Sequence, residues 1–273
     1  MQPSLTQPDT QHCAVTDLEY LDVGSADHAI VLLHGWAAFK ELWWSTMVGL
    51  APQYRVFAPD MPGHGQSPLL HDQGMVQIAE RITSFIGARG LSSVTLVGHS
   101  MGGNVAAELA LARPDLIQRL VLVDAATQGH ALPAYTRSYL VDVFGFAALR
   151  LTLLLSQGAG VVGQHVPHDH GGGTVLPALR RLAYSARYDA AVMHRLLTSL
   201  VDNPLEQRVE ALRMPTLVVS GALDPLVPAQ FSRRLAQQIP SARYVEIRGA
   251  GHNPMDERPR EFLDVLLRFL QEE

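Results

Sequence analysis

The stretch that most constrains the fold is LVGHSMGGNVAAELA, Leu96 to Ala110. A short apolar run leads into a serine that has glycine two places before it and two places after it. A helical apolar pattern follows, with Val105, Ala106, Leu109 and Ala110 on one face until Pro114 stops it. Strand, sharp turn and helix must therefore meet at Ser100. Side chains two residues to either side would collide there, which is the reading for Gly98 and Gly102.

The preceding strand is one of a set. Ala29–Leu33, Arg55–Ala58, Val94–Val97, Leu120–Val123, Thr216–Val219 and Arg243–Ile247 are short, continuous apolar runs. Such runs read as strands buried on both faces, the pattern of a parallel sheet. Thr16–Gly24 reads as an earlier, antiparallel edge strand. Helical patterns lie between the runs at Gln73–Ala88, Gln230–Ile239 and Phe262–Leu270. The alternation predicts an α/β fold: a mostly parallel, doubly wound sheet with helices on both faces. Between Asp124 and Met214 the alternation fails, and the segment is rich in Leu, Ala and Arg. A structureless loop of that length is implausible. It reads as a helical insertion after the sixth strand, which divides the chain into a core of residues 1–124 and 212–273 and an insertion of residues 125–211.

A serine on a strained turn at a helix start has the setting of a nucleophile. The helix N-terminus supplies free N–H groups, and that of Met101 would face a developing oxyanion. A second such donor is the backbone N–H of Trp36, after the turn at Gly35. The base is sought in RGAGHNPMDERP, where His252 follows the last strand. The acid is sought in SGALDPLVP, where Asp224 follows Thr216–Val219, with Asp124 at the end of LVLVD as the rival. His34 reads as structural. Trp36 and Met101 are expected to line the substrate pocket.

LLHGW, APDMPGHGQS, LVGHSMGG, SGALDPLVP and AGHNPMDERP together resemble the α/β-hydrolase superfamily over nearly the whole chain, least so in the insertion. The resemblance implies Ser100 as nucleophile, Asp224 as acid, His252 as base and the backbones of Trp36 and Met101 as the oxyanion hole. It implies that the insertion is a cap over the pocket, and it assigns the Pro62–Gly65 turn no chemistry. Relatives that hydrolyse haloalkanes or epoxides carry aspartate at the nucleophile turn, and dienelactone hydrolases carry cysteine, so Ser100 sets this chain apart from them. The expected activity is hydrolysis of carboxylic esters of small to medium, mainly apolar substrates through an acyl-enzyme, without a cofactor. Carbon–carbon-bond hydrolysis, lactonase or perhydrolase chemistry, and a non-catalytic small-molecule receptor remain open.

Composition narrows the partners. With 21 basic and 26 acidic residues the formal net charge is −5, and no basic block suggests nucleic acid. A single cysteine, Cys13, excludes an internal disulfide. The first residues lack the charged and apolar regions of a signal peptide, which gives a cytoplasmic location as the expectation. Tyr139–Gly163 is apolar, but Asp142 and Arg150 interrupt it, so stable membrane insertion is not expected. His165, His168, His170 and Asp169 lack the spacing of a metal site, and none is expected. The run His170-Gly171-Gly172-Gly173 resembles an esterase oxyanion motif but follows the nucleophile instead of preceding it. The sequence does not speak to oligomeric state.

Overall fold

In strand β3, Ala29–Leu33, Val31 and Leu33 face one core cluster while Ile30 and Leu32 face another. Successive side chains point to opposite faces of a sheet, so a continuous apolar run can exist only where helices cover both sides. Strand β6, Ile117–Val123, divides likewise: Leu120 and Leu122 go one way, Val121 and Val123 the other. The computed structural model describes residues 8–69, 74–128, 132–163, 165–166, 172–173 and 175–272.

The remaining strands are β1 (Gln11–Cys13), β2 (Leu18–Val23), β4 (Arg55–Pro59), β5 (Val94–His99), β7 (Thr216–Gly221) and β8 (Ala242–Ile247). They form one eight-stranded sheet in the order β1-β2-β4-β3-β5-β6-β7-β8. The pairings of β2 with β1 and with β4 are antiparallel; the others are parallel. Thr16–Gly24 was expected at the edge, but β2 is flanked by the polar three-residue β1, too short to show a period. Helices α2 (Met75–Ala88), α3 (Met101–Ala112) and α8 (Ala229–Gln238) contribute to one core cluster, and α1 (Trp44–Leu50) and α10 (Pro259–Leu270) to the other.

Among the described residues between β6 and β7 lie the α-helices α4 (Ala134–Ser138), α5 (Asp142–Gly163), α6 (Val175–Ser185) and α7 (Ala190–Val201). Helix α5 exposes Phe144, Leu151, Leu154, Leu155 and Val161. Among the described residues no helix is long and apolar enough to cross a membrane. His168, Asp169, His170 and Gly171 lie outside the described residues.

The order β4-β3-β5 places a topological switch between β3 and β5. Chain leaves the carboxyl ends of these neighbours in opposite directions and opens a crevice there. The turn after β3 and the turn after β5 border it.

Candidate active site

Ser100 stands at the junction of β5 and α3 with φ +54° and ψ −116°. For a non-glycine residue that conformation costs on the order of 1–3 kcal/mol and persists only where the surroundings impose it. Here β6 imposes it from one side, because Ser100 N–H donates to the Val123 carbonyl at 2.9 Å. The crowding expected at the flanking glycines is present: a Cβ on Gly98 would strike the Gly102 carbonyl, and one on Gly102 would strike the carbonyls of Leu33 and His34.

The turn after β3 lies against the serine, since a Cβ on Gly35 would come within 3.1 Å of the Ser100 Cβ. Buried imidazoles hold that turn. His34 takes the Met61 N–H at 2.9 Å on Nε2 and its Nδ1 lies 2.8 Å from the Gly35 carbonyl. His64 takes the Ala37 N–H at 3.1 Å on Nε2. Burial keeps both rings neutral, pushing His34 down to about 4 and His64 to about 3. Neighbouring N–H groups are thus engaged, whereas among the described residues neither the Trp36 nor the Met101 backbone N–H is spent on a hydrogen bond. The His64 contact is invisible in the sequence, where PGHG reads only as a turn.

His252 Nδ1 lies 2.7 Å from Asp224 Oδ2. Asp224 follows β7, and its Oδ1 accepts the N–H groups of Leu226 at 2.7 Å and Val227 at 3.0 Å. Burial acts to raise this carboxyl, but the His252 ring and these donors outweigh it and hold Asp224 below the usual carboxylate value. His99, next to the serine, donates from Nε2 to the His252 carbonyl at 2.7 Å; burial and then the nearby His252 push its ring well below the ordinary histidine value. With that proton on Nε2, its role is to position the loop that carries His252.

Ser100 and His252 line one cavity of about 430 Å³, together with Trp36, Leu149, Leu153, Leu197 and others of mainly apolar character. The Ser100 hydroxyl makes no hydrogen bond among the described residues. A second hollow of about 520 Å³, walled by Phe146, Arg150 and Tyr188, includes neither residue. Trp36 lines the cavity as expected of its position. Met101 does not: its side chain is fully buried in the core under α3, because a helix's first residue here turns inward against the sheet.

The inserted helices are fastened to the site's own loops. Trp36 Nε1 donates to the Met193 carbonyl of α7 at 2.8 Å. From α6, Arg180 and Arg181 bind Asp256 at 2.7 and 2.6 Å, and Arg181 reaches Glu257 at 3.4 Å. Glu257 in turn accepts the Gly251 N–H, beside His252, at 2.6 Å. Arg181 lines the cavity, yet its charge is answered by these carboxylates.

The alpha/beta hydrolase fold family matches the chain over residues 28–259. A pimeloyl-(acyl-carrier protein) methyl ester esterase of Aeromonas hydrophila is 27% identical over 246 residues, covering 88% of this chain and 94% of its own. A solved hydrolase from Pseudomonas aeruginosa superposes with a TM-score of 0.79 at 22% identity, over 97% of this chain and 99% of the other. The enol-lactonase of Burkholderia xenovorans gives 0.76 at 23% identity, over 96% and 100%. At such identities the two structures bear on the fold alone. A match that spans most of the sequence, on a sheet of this order, makes the chain a member of the α/β-hydrolase fold family.

Proposed function

We propose that the protein is a serine carboxylic ester hydrolase for uncharged, mainly apolar esters of small to medium size. The observation that carries this reading is the 2.7 Å contact of His252 with Asp224, with the ring and Ser100 in one cavity. Ser100 attacks the ester carbonyl while His252 takes its proton. The tetrahedral oxyanion is received by the N–H groups of Trp36 and Met101, each contributing about 3 kcal/mol. His252, oriented by Asp224, then protonates the leaving alcohol, and water repeats the cycle on the acyl-enzyme. The helices of residues 134–201 act as a cap whose inner wall sets the acyl preference.

The ester class is supported by the apolar lining and by the pairing of Arg181, which leaves no unanswered Arg or Lys among the described lining residues for an acidic substrate. The esterase named above lends the same support from sequence. The test is a series of p-nitrophenyl esters of increasing chain length on the wild type and on Ser100→Ala. Turnover of short to medium neutral acyl groups, lost in the variant, is expected. Binding of such esters without turnover by the wild type would instead mark a receptor, and preference for charged acyl groups would overturn the substrate class.

A further inference from the structure

Asp124 is unused in this mechanism yet stands between its parts. It is fully buried at the end of β6 with φ +43°. Its neighbours hold the nucleophile's backbone: Val123 accepts the Ser100 N–H at 2.9 Å, and Ala126 N–H donates to the Ser100 carbonyl at 3.0 Å. Its side chain turns to the other side, accepting the Gly221 N–H at 3.1 and 3.3 Å on its two oxygens and facing the Asp224 carboxyl. A ligand atom from each of Asp124, Asp224 and His252 lies within 4.8 Å of the other two.

Two carboxyl groups can share a hydrogen bond only if one of them keeps its proton. The donors decide which. Asp224 receives Leu226 N–H, Val227 N–H and His252 Nδ1, all of which favour a charged carboxylate. Asp124 receives the single Gly221 N–H in a fully dry position. We propose that Asp124 is a positioning residue, a neutral carboxylic acid whose O–H donates to Asp224 and fixes the carboxylate that orients His252.

Burial first, and then the charge of Asp224, push the Asp124 carboxyl well above its ordinary value, which agrees with the geometry. The other titratable groups facing the pair are His252 after β8, His99 at the end of β5, Arg181 on α6 and Glu257 on the short helix α9, Pro254–Glu257. Arg181 and Glu257 oppose each other at 3.4 Å, and His99 is neutral, so Asp224 is the charge that His252 meets. The effect on catalysis rests on the ester-hydrolase reading; the place of the proton does not.

Infrared difference spectroscopy of the resting protein at neutral pH reads that proton without any substrate. A protonated-carboxyl stretch present in the wild type and lost in Asp124→Asn is expected. Its absence from the wild type overturns the proposal. Kinetics then test the role. Asp124→Ala should lower kcat about tenfold or more with KM little changed, as befits loss of a hydrogen bond to a charged group. Asp124→Asn keeps an N–H donor and should recover most of that loss, with the acid limb of the pH–rate profile unmoved. A shift of that limb by about one pH unit toward acid would mean that a negative charge had been removed, and overturns the proposal. If Asp124→Ala does not fold, the infrared band and the Asn limb still decide. A wild type that shows the band but hydrolyses no ester sinks the ester reading and leaves the proton where it is placed here.

Discussion

Ser100 keeps an unfavourable backbone because β6 and the two glycines leave it no other, and the strain exposes its hydroxyl to the cavity. Replacing Gly102 with Ala drives a methyl into the Leu33 and His34 carbonyls, so the elbow must shift. Gly102→Ala is expected to lower kcat at least about a hundredfold, because misplacement of about 1 Å has that cost; near-normal turnover would deny that the turn is this tight. Asp224→Asn is expected to cost more, on the order of 10⁴-fold, by releasing the wrong tautomer of His252. The buried imidazoles have a separate signature. His34 and His64 stay neutral down to about 4 and 3, so the unfolded chain, titrating near 6.5, takes up their protons first. The stability they confer is complete above about pH 6.5 and declines as pH falls toward 4. Buried Asp124 and Glu41, both pushed up, oppose this, since the folded state holds their protons. His64→Gln retains an acceptor for the Ala37 N–H, and urea melts across this range should show a slope shallower by about 1.4 kcal/mol per pH unit; an unchanged slope would contradict a neutral buried His64.

At the scale of elements, the contacts of α6 and α7 make the inserted helices part of the site. Asp256 is buried between Arg180 and Arg181, and its short helix bears Glu257, which ties down the loop of His252. Asp256→Asn removes the buried carboxylate charge that Arg180 and Arg181 both bind, a defect of about 3 kcal/mol or more. Thermal melts should fall by roughly 10 °C, and KM should rise through a loosened cavity wall. A variant as stable as the wild type would show the latch to be idle. These pairs were beyond sequence reading because their partners lie 76 and 75 residues apart and meet only once α6 docks on the core. The central strands, by contrast, were legible, since burial on both faces forces apolar residues there, whereas β8, expected to be buried on both faces, lies at the sheet edge and exposes Arg243 and Glu246. Ile117–Arg119 was missed at the start of β6, where Gln118 reaches solvent and breaks the run. The seven-residue α1 escaped because two turns carry too little periodicity.

For the molecule as a whole, the sheet order explains why chemistry collects at one edge. The turns after β3, β5, β6, β7 and β8 carry Trp36, Ser100, Asp124, Asp224 and His252, residues far apart in sequence but each borne by a strand that neighbours the strand of the one before it. Chain order and turn composition brought forward Ser100, Asp224 and His252. The link from Asp124 to Asp224 was not legible, because it requires knowing that β6 and β7 are neighbours; the sequence offered the two acids only as rivals. The Met101 side chain was misjudged for a related reason: nothing in GHSMGG says which way a helix's first residue will face. All of this depends on Ser100 being the group that attacks. The most direct measurement is treatment with a serine-directed alkyl phosphonate followed by peptide mapping by mass spectrometry. One adduct per chain on the peptide bearing Ser100, absent in His252→Gln, is the expected result; labelling elsewhere, or none while ester turnover proceeds, would contradict it.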